Sequence, residues 1–157
     1  MSLPYQSATT GARAMEDVQK ILQRFGCQKF GHMMDYERGD LIVQFEVRGI
    51  PVSIRASIKG YASAWIKEHP YSHRMQRNRQ QHEQEALRVA GVAVYSILRD
   101  WIKGQITAVE TGILSIEGAF LGQIMLPSGK TVLETAKEQK MLPAPPDEKV
   151  VSIGAKT

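Results

Sequence analysis

Leu41-Ile-Val-Gln-Phe-Glu-Val-Arg-Gly-Ile-Pro-Val-Ser-Ile-Arg-Ala56 is the stretch that decides the fold. Leu41, Val43, Phe45 and Val47 alternate with Ile42, Gln44, Glu46 and Arg48, and the alternation resumes at Ile50, Val52, Ile54 and Ala56. A period of two is the pattern of a pleated strand with one buried face. Glycine supplies the positive φ of a two-residue turn, so Arg48-Gly49 reads as the turn between two strands. Pro51 has no N–H to donate, which puts the second strand at an edge or at its own start. Upstream, Glu37-Arg38-Gly39-Asp40 reads as another turn, and residues 28–36 supply a weaker first strand. The expectation is a three-stranded antiparallel meander.

Helical periodicity surrounds it. Val18, Ile21, Leu22 and Phe25 recur at three- and four-residue spacing, predicting a helix over Ala12 to Phe25 with Thr10 as its cap and Gly26 as its stop. Lys59 to His69 reads as a short helix closed by Pro70. Residues 72–111 read as one long helix or two in series, with Leu87, Ala90, Val94, Leu98, Trp101, Ile102, Gln105, Ile106 and Val109 mostly on one side and Gly112 after the end. Ser115 starts a short helix through Phe120. Gly122 to Pro127 is an apolar piece, Ser128-Gly129 a turn, and Thr131 to Lys140 a last helix. The fold class expected is α+β: an N-terminal helix, the meander, a long helix packed across it and a small C-terminal helical addition. Residues 1–11 are expected to be flexible, residues 12–140 to form one domain, and residues 141–157, opened by Pro143, Pro145 and Pro146, to be a disordered tail.

Composition narrows the function classes. The chain has 157 residues, enough for one real core. A single cysteine, Cys27, precludes an internal disulfide and a cysteine-rich metal site, and its expected role is a small buried residue. No apolar run approaches the ~20 residues that span a bilayer. Met1 to Thr10 lacks the charged and apolar regions of a signal peptide, so a soluble, intracellular protein without membrane contact is expected. His69 and His73 have the spacing of helical metal ligands, but Pro70 between them breaks that geometry, and surface histidines (His82 included) are the better reading. Ser128-Gly129-Lys130-Thr131 lacks the earlier glycine of a phosphate loop, since Ile124 stands there. No nucleophile elbow or acid–base set can be nominated, so no catalytic residue, cofactor or metal is expected.

One constellation remains. Between Arg48 and Arg79 stand seven basic residues and one acid, Glu68, whereas residues 1–47 hold five bases and six acids and residues 80–157 eight and nine. The formal charge of +4 therefore comes from one window. Arg48, Arg55, Lys59, Lys67, Arg74, Arg77 and Arg79 are candidate phosphate ligands, and Tyr61, Trp65 and Tyr71 candidate stacking platforms. Bases interleaved with rings are the footprint of a groove that tracks a nucleic-acid backbone without reading sequence. The competing reading is a solvated basic face with Trp65 in the core.

Trp101-Ile-Lys-Gly-Gln-Ile-Thr-Ala-Val-Glu-Thr-Gly-Ile113, Ala119-Phe-Leu121 and Met125-Leu-Pro-Ser-Gly-Lys-Thr131 resemble small uncharacterised proteins carried by bacteriophages and prophages. The helix end Arg24-Phe-Gly26 is similar to theirs as well. The resemblance implies a phage or mobile-element origin, a cytoplasmic setting in a bacterial host cell, and a role in DNA metabolism or host takeover, and transfers no site residues. The order of helix, meander and long helix is also similar to the annealing core of phage single-strand annealing proteins, and to double-stranded RNA-binding domains. Together these imply non-sequence-specific binding of nucleic acid, single-stranded DNA favoured, by a homo-oligomer whose contact the long helix could carry. The alternative is a protein-interaction module, an assembly component or an inhibitor of a host defence protein, whose basic face docks an acidic partner.

Overall fold

A computed structural model describes residues 2–144. Its architecture is α+β: a three-stranded antiparallel sheet in the order β1-β2-β3, with helices before, after and beyond it. The strands are β1 (Phe30–Asp35), β2 (Asp40–Val47) and β3 (Ile50–Ser57). Val47 pairs with Ile50 across the Arg48-Gly49 turn, where both residues have positive φ, 49° and 82°. Phe45 pairs with Val52 and Val43 with Ile54, so the alternating apolar residues share the core face. Ile42, Gln44, Ser53 and Arg55 occupy the outer face.

The first helix, α1 (Ala14–Arg24), buries Met15, Val18 and Leu22. A 3-10 turn over Gly11–Arg13 leads into it, and Thr10 does not cap. Its backbone is already helical at φ −69° and ψ −37°, whereas a capping residue must be extended for its side chain to reach back. Gly26, at φ 98°, stops the helix as expected, and the Cys27 N–H closes on the Leu22 carbonyl at 2.9 Å. The N-terminal segment, expected to be flexible, is hydrogen-bonded to the body. The Tyr5 hydroxyl donates to Asp100 at 2.6 Å, and the Tyr61 hydroxyl to the Pro4 carbonyl at 2.7 Å.

Helix α2 (Ile58–Glu68) starts at Ser57, whose side chain accepts the Gly60 N–H. The long helix is one continuous element, α3 (Arg79–Glu110), roughly 48 Å at 1.5 Å per residue. It begins seven residues later than the periodicity predicted. Polar side chains explain the delay: Ser72 accepts the Arg74 N–H, and Asn78 and Gln81 form a reciprocal capping box that fixes the start. Ala86, Ala90 and Ala93 are buried in its first half, where α2 packs against it. Larger residues, Leu98, Ile102 and Ile106, take over further along.

The C-terminal addition comprises α4 (Ile116–Phe120) and α5 (Val132–Glu138), capped by Ser115 and Thr131. Phe120 is fully buried and meets Phe45 and Trp101 edge-on, at 5.7 and 5.8 Å between ring centres, which ties this addition to the sheet and to α3. Between α4 and α5 the chain runs along β3: Ile124 bridges Val52, and the Met125 N–H donates to the Pro51 carbonyl at 2.9 Å. The edge that Pro51 announced is thus covered. Met141–Ala144 carry no regular element, and the rest of the expected tail lies outside the described residues. No helix among the described residues is long and apolar enough to cross a membrane.

Candidate nucleic-acid interface

The basic window does not assemble into one trough. Its strand half is tied into the fold. Arg48 sits in the β2–β3 turn with its guanidinium 5.2 Å from the centre of the Phe25 ring. Arg55, on the outer sheet face, is neutralised by Asp40 at 3.0 Å and Asp35 at 3.3 Å. The bond to Asp40 leads in raising the Arg55 guanidinium above its ordinary value. The aliphatic stem of Lys59 lies against Gly39, so closely that a Cβ there would collide with three of its carbons. Arg48 and Lys59 bracket β3, whose eight residues set them roughly 26 Å apart. Strand register causes this outcome, because pairing brings β1 and β2 carboxylates beside Arg55.

Two of the three candidate stacking rings also have other duties. Trp65 is only 6% exposed and cannot receive a base. It belongs to the core, stacked on the His69 ring at 4.4 Å and tilted against His82 at 5.2 Å. Tyr61 is half-buried, and burial pushes its hydroxyl pKa upward. Its bond to the Pro4 carbonyl closes the N-terminal segment over the ring.

The remaining candidates do gather, at the connection from α2 to α3. Lys67 is exposed on the last turn of α2, Arg74 and Arg79 are exposed, and Arg77 is half-buried. Among the described residues none of the four makes an ion pair. Arg79 lies over the Tyr71 ring, 5.0 Å from its centre, and Tyr71 also meets His73 and His82 at 5.5 and 5.8 Å. These rings hold the connection in shape. The first turn of α3 contains no acid, although acids there are favoured by the helix dipole and cations disfavoured. Here Arg77 and Arg79 flank the Asn78 cap instead, and Arg74 stands four residues before it in the connection. Arg88 is the main cause of the lowered Glu85 pKa, and Arg77 is a lesser one. Arg88 itself is held by Glu85 at 2.6 Å.

His82, expected at the surface, is 1% exposed, with its Nε2 at 2.6 Å from the His69 carbonyl and its Nδ1 without a hydrogen-bond partner among the described residues. Its place on α3 one turn before Ala86 was the available signal, since Ala86 and Ala90 continue the same buried stripe. The sequence also gave no hint of a cleft of about 560 Å³ between the outer sheet face and α5, lined in part by Arg38, Gln44, Ser53, Gln123 and Lys137. Strand alternation places Gln44 and Ser53 outward, but nothing local reveals that α5 returns over them.

Comparison with known proteins adds no functional assignment: no family model, no curated protein and no solved structure matches the chain.

Proposed function

We propose that the α2–α3 connection is a polyanion-docking surface, and that the protein binds nucleic acid without sequence preference, single-stranded DNA above duplex. The arrangement around Asn78 carries this reading. Arg77 and Arg79 flank the N-terminal cap of a 32-residue helix whose first turn has no acid, with Arg74 preceding them in the connection, and cations at that end cost stability unless an anion is met there. Lys67, Arg74, Arg77 and Arg79 would contact phosphates, and Tyr71 would offer a face to an unstacked base. Arg55 and Trp65 drop out of the set because a carboxylate pair and the core, respectively, occupy them. Arg48 lies in the β2–β3 turn, and Lys59 and Tyr61 stand at the start of α2, engaged with Gly39 and Pro4, so the three are not required. The resemblance to phage and prophage proteins supports a role in DNA metabolism, annealing included.

The test is a salt series of binding to a labelled single-stranded oligonucleotide, followed by fluorescence anisotropy. Counterion release predicts a straight log–log dependence on salt, with about 0.7 of slope per phosphate contact. Arg74→Ala/Arg77→Ala/Arg79→Ala should therefore remove roughly two units of slope and most of the affinity at low salt. Wild-type binding that ignores salt, or that survives the triple change intact, overturns the reading. Binding of an acidic protein but no oligonucleotide would favour the interaction-module reading of the same surface.

A further inference from the structure

The two edges of the sheet are treated differently. On the β3 side, Ile124 and Met125 cover the strand. On the β1 side, no element among the described residues pairs with the strand. The Glu46 N–H donates to the Lys29 carbonyl at 3.3 Å, which marks Lys29 and Glu46 as a hydrogen-bonded pair in the β1–β2 register. In an antiparallel ladder such pairs alternate with pairs whose backbone groups face away. The N–H and C=O groups of Phe30, His32 and Met34 therefore point out of the sheet. Among the described residues nothing bonds to them.

Exposed edges are ordinarily blunted by proline, an edge lysine, a bulge or a covering loop. Between Phe30 and Met34 the strand has none of these, and its pairing with β2 runs without a bulge. Met33 within it is 59% exposed, and Tyr36 just beyond the strand is 89% exposed.

We propose that two copies of this chain pair β1 to β1, antiparallel about a twofold axis at His32, joining two three-stranded sheets into one of six. The occupant is a second copy because the strand is complementary to itself. With the axis at His32, Phe30 faces Met34 of the second copy, and the three outward-pointing residues pair only with one another. On the outer face, Lys29 falls opposite Asp35 and Met33 opposite Gly31. The open space over Gly31, where a Cβ would touch nothing within 4 Å, receives the Met33 side chain. Lys29, already paired with Glu46 at 3.2 Å, then stands between two carboxylates. Sliding the axis to Gly31 or Met33 keeps some backbone bonds but loses both Lys29–Asp35 pairs. On the core face, a cavity of about 270 Å³ between α1 and the Phe30 and His32 side chains opens beside this edge and leaves room for the arriving strand.

Sedimentation velocity of the full chain over a concentration series should show a monomer–dimer equilibrium. His32→Pro removes an outward N–H without touching the β2 ladder, and the twofold removes two bonds at once. Its dissociation constant should rise by roughly ten- to a hundredfold, whereas His32→Ala should change it little. Lys29→Glu, which puts like charges opposite each other, should weaken the dimer as well. Amide exchange gives an independent readout: protection at Phe30, His32 and Met34 should rise with protein concentration. A chain that stays monomeric, or a dimer that tolerates His32→Pro with those three amides unprotected, overturns the proposal. Should His32→Pro fail to fold, the exchange pattern of the wild type decides alone.

Discussion

Seven cations lie between Arg48 and Arg79, and the fold divides them into two populations. The strand half is anchored: Arg48 over Phe25, Arg55 between Asp35 and Asp40, Lys59 along Gly39. The junction half, Lys67 to Arg79, makes no ion pair among the described residues, and its one ring contact is Arg79 over Tyr71. In a sheet, register delivers neighbours to every side chain, and two acids from β1 and β2 arrive beside Arg55 whatever their distance in sequence. A connection between helices has no such rule, and its arginines form no ion pair among the described residues, Arg74 and Arg79 exposed and Arg77 half-buried. Charge counted along a chain therefore overstates charge available at a surface wherever strands are involved. The aromatic residues divide the same way, with Trp65 serving the core and Tyr71 the exposed connection.

The largest effect that can break this division is at Trp65. If it is a core residue, Trp65→Ala should destabilise the protein by ~3–5 kcal/mol, as large-to-small changes in tight cores do. Oligonucleotide affinity of the folded fraction should stay unchanged. Tyr71→Ala should do the reverse, with a smaller loss of stability and a weaker complex. Urea unfolding and anisotropy measured on the same preparations separate the two. A Trp65→Ala protein that keeps its stability but loses binding would place both rings in one platform.

Arg55 comes next. Removing it leaves Asp40, whose side chain is only 12% exposed, without its guanidinium. A stranded, nearly buried carboxylate costs about 1–3 kcal/mol, and because Arg55 itself is half open to water the lower end is expected. Arg55→Ala should therefore lower the urea midpoint while leaving the salt slope of oligonucleotide binding intact. A flattened slope would show that Arg55 still meets phosphate despite its two carboxylates.

Much of this fold was legible before any coordinates. Alternation at Leu41 to Val47 and Ile50 to Ala56 names the core face residue by residue, because period two has one solution when one face is buried. Pro51 declares an edge, Gly26 and Gly112 declare stops, and Ser115 declares a helix start, whereas Thr131, read as the first residue of the last helix, is its cap. Errors fell where polar side chains compete for backbone groups: Ser72 and Asn78 push the start of α3 past residues whose periodicity suited a helix. The site was less legible for a different reason. Whether Arg55 is free depends on Asp35 and Asp40, fifteen and more residues away, and whether Trp65 is open depends on His69 and His82 closing over it. Except for His69, four residues on, those are tertiary partners, and net charge per window carries no trace of them. The outer-face cleft beneath α5 is likewise invisible locally, since the chain reaches it only after passing along β3.

The smallest effect tests the division through acid. Asp35 accepts the N–H groups of Arg38 and Glu37, both at 3.1 Å, and the Arg55 guanidinium at 3.3 Å. The Arg38 N–H leads in holding its carboxyl below the ordinary aspartate value, with Arg55 and Glu37 adding to it. A depressed folded-state pKa contributes stability that is present above the unfolded value, near ~3.9 for aspartate, and is lost as pH falls through the folded one. Wild-type stability should therefore fall on acidification below about pH 4. Asp35→Asn should make that fall shallower, and Arg55→Ala should do so in part. Neither should abolish it, because Asp100, depressed chiefly by the Tyr5 hydroxyl, and Glu85, depressed chiefly by Arg88, titrate in the same direction. Arg74→Ala, by contrast, should leave the acid limb as steep as in the wild type, since Arg74 makes no ion pair among the described residues. Thermal midpoints recorded from neutral pH downward for the four proteins check the ordering. If Arg74→Ala flattened the limb as much as Asp35→Asn, the junction would hold a carboxylate as the sheet does, and its claim on a polyanion would weaken accordingly.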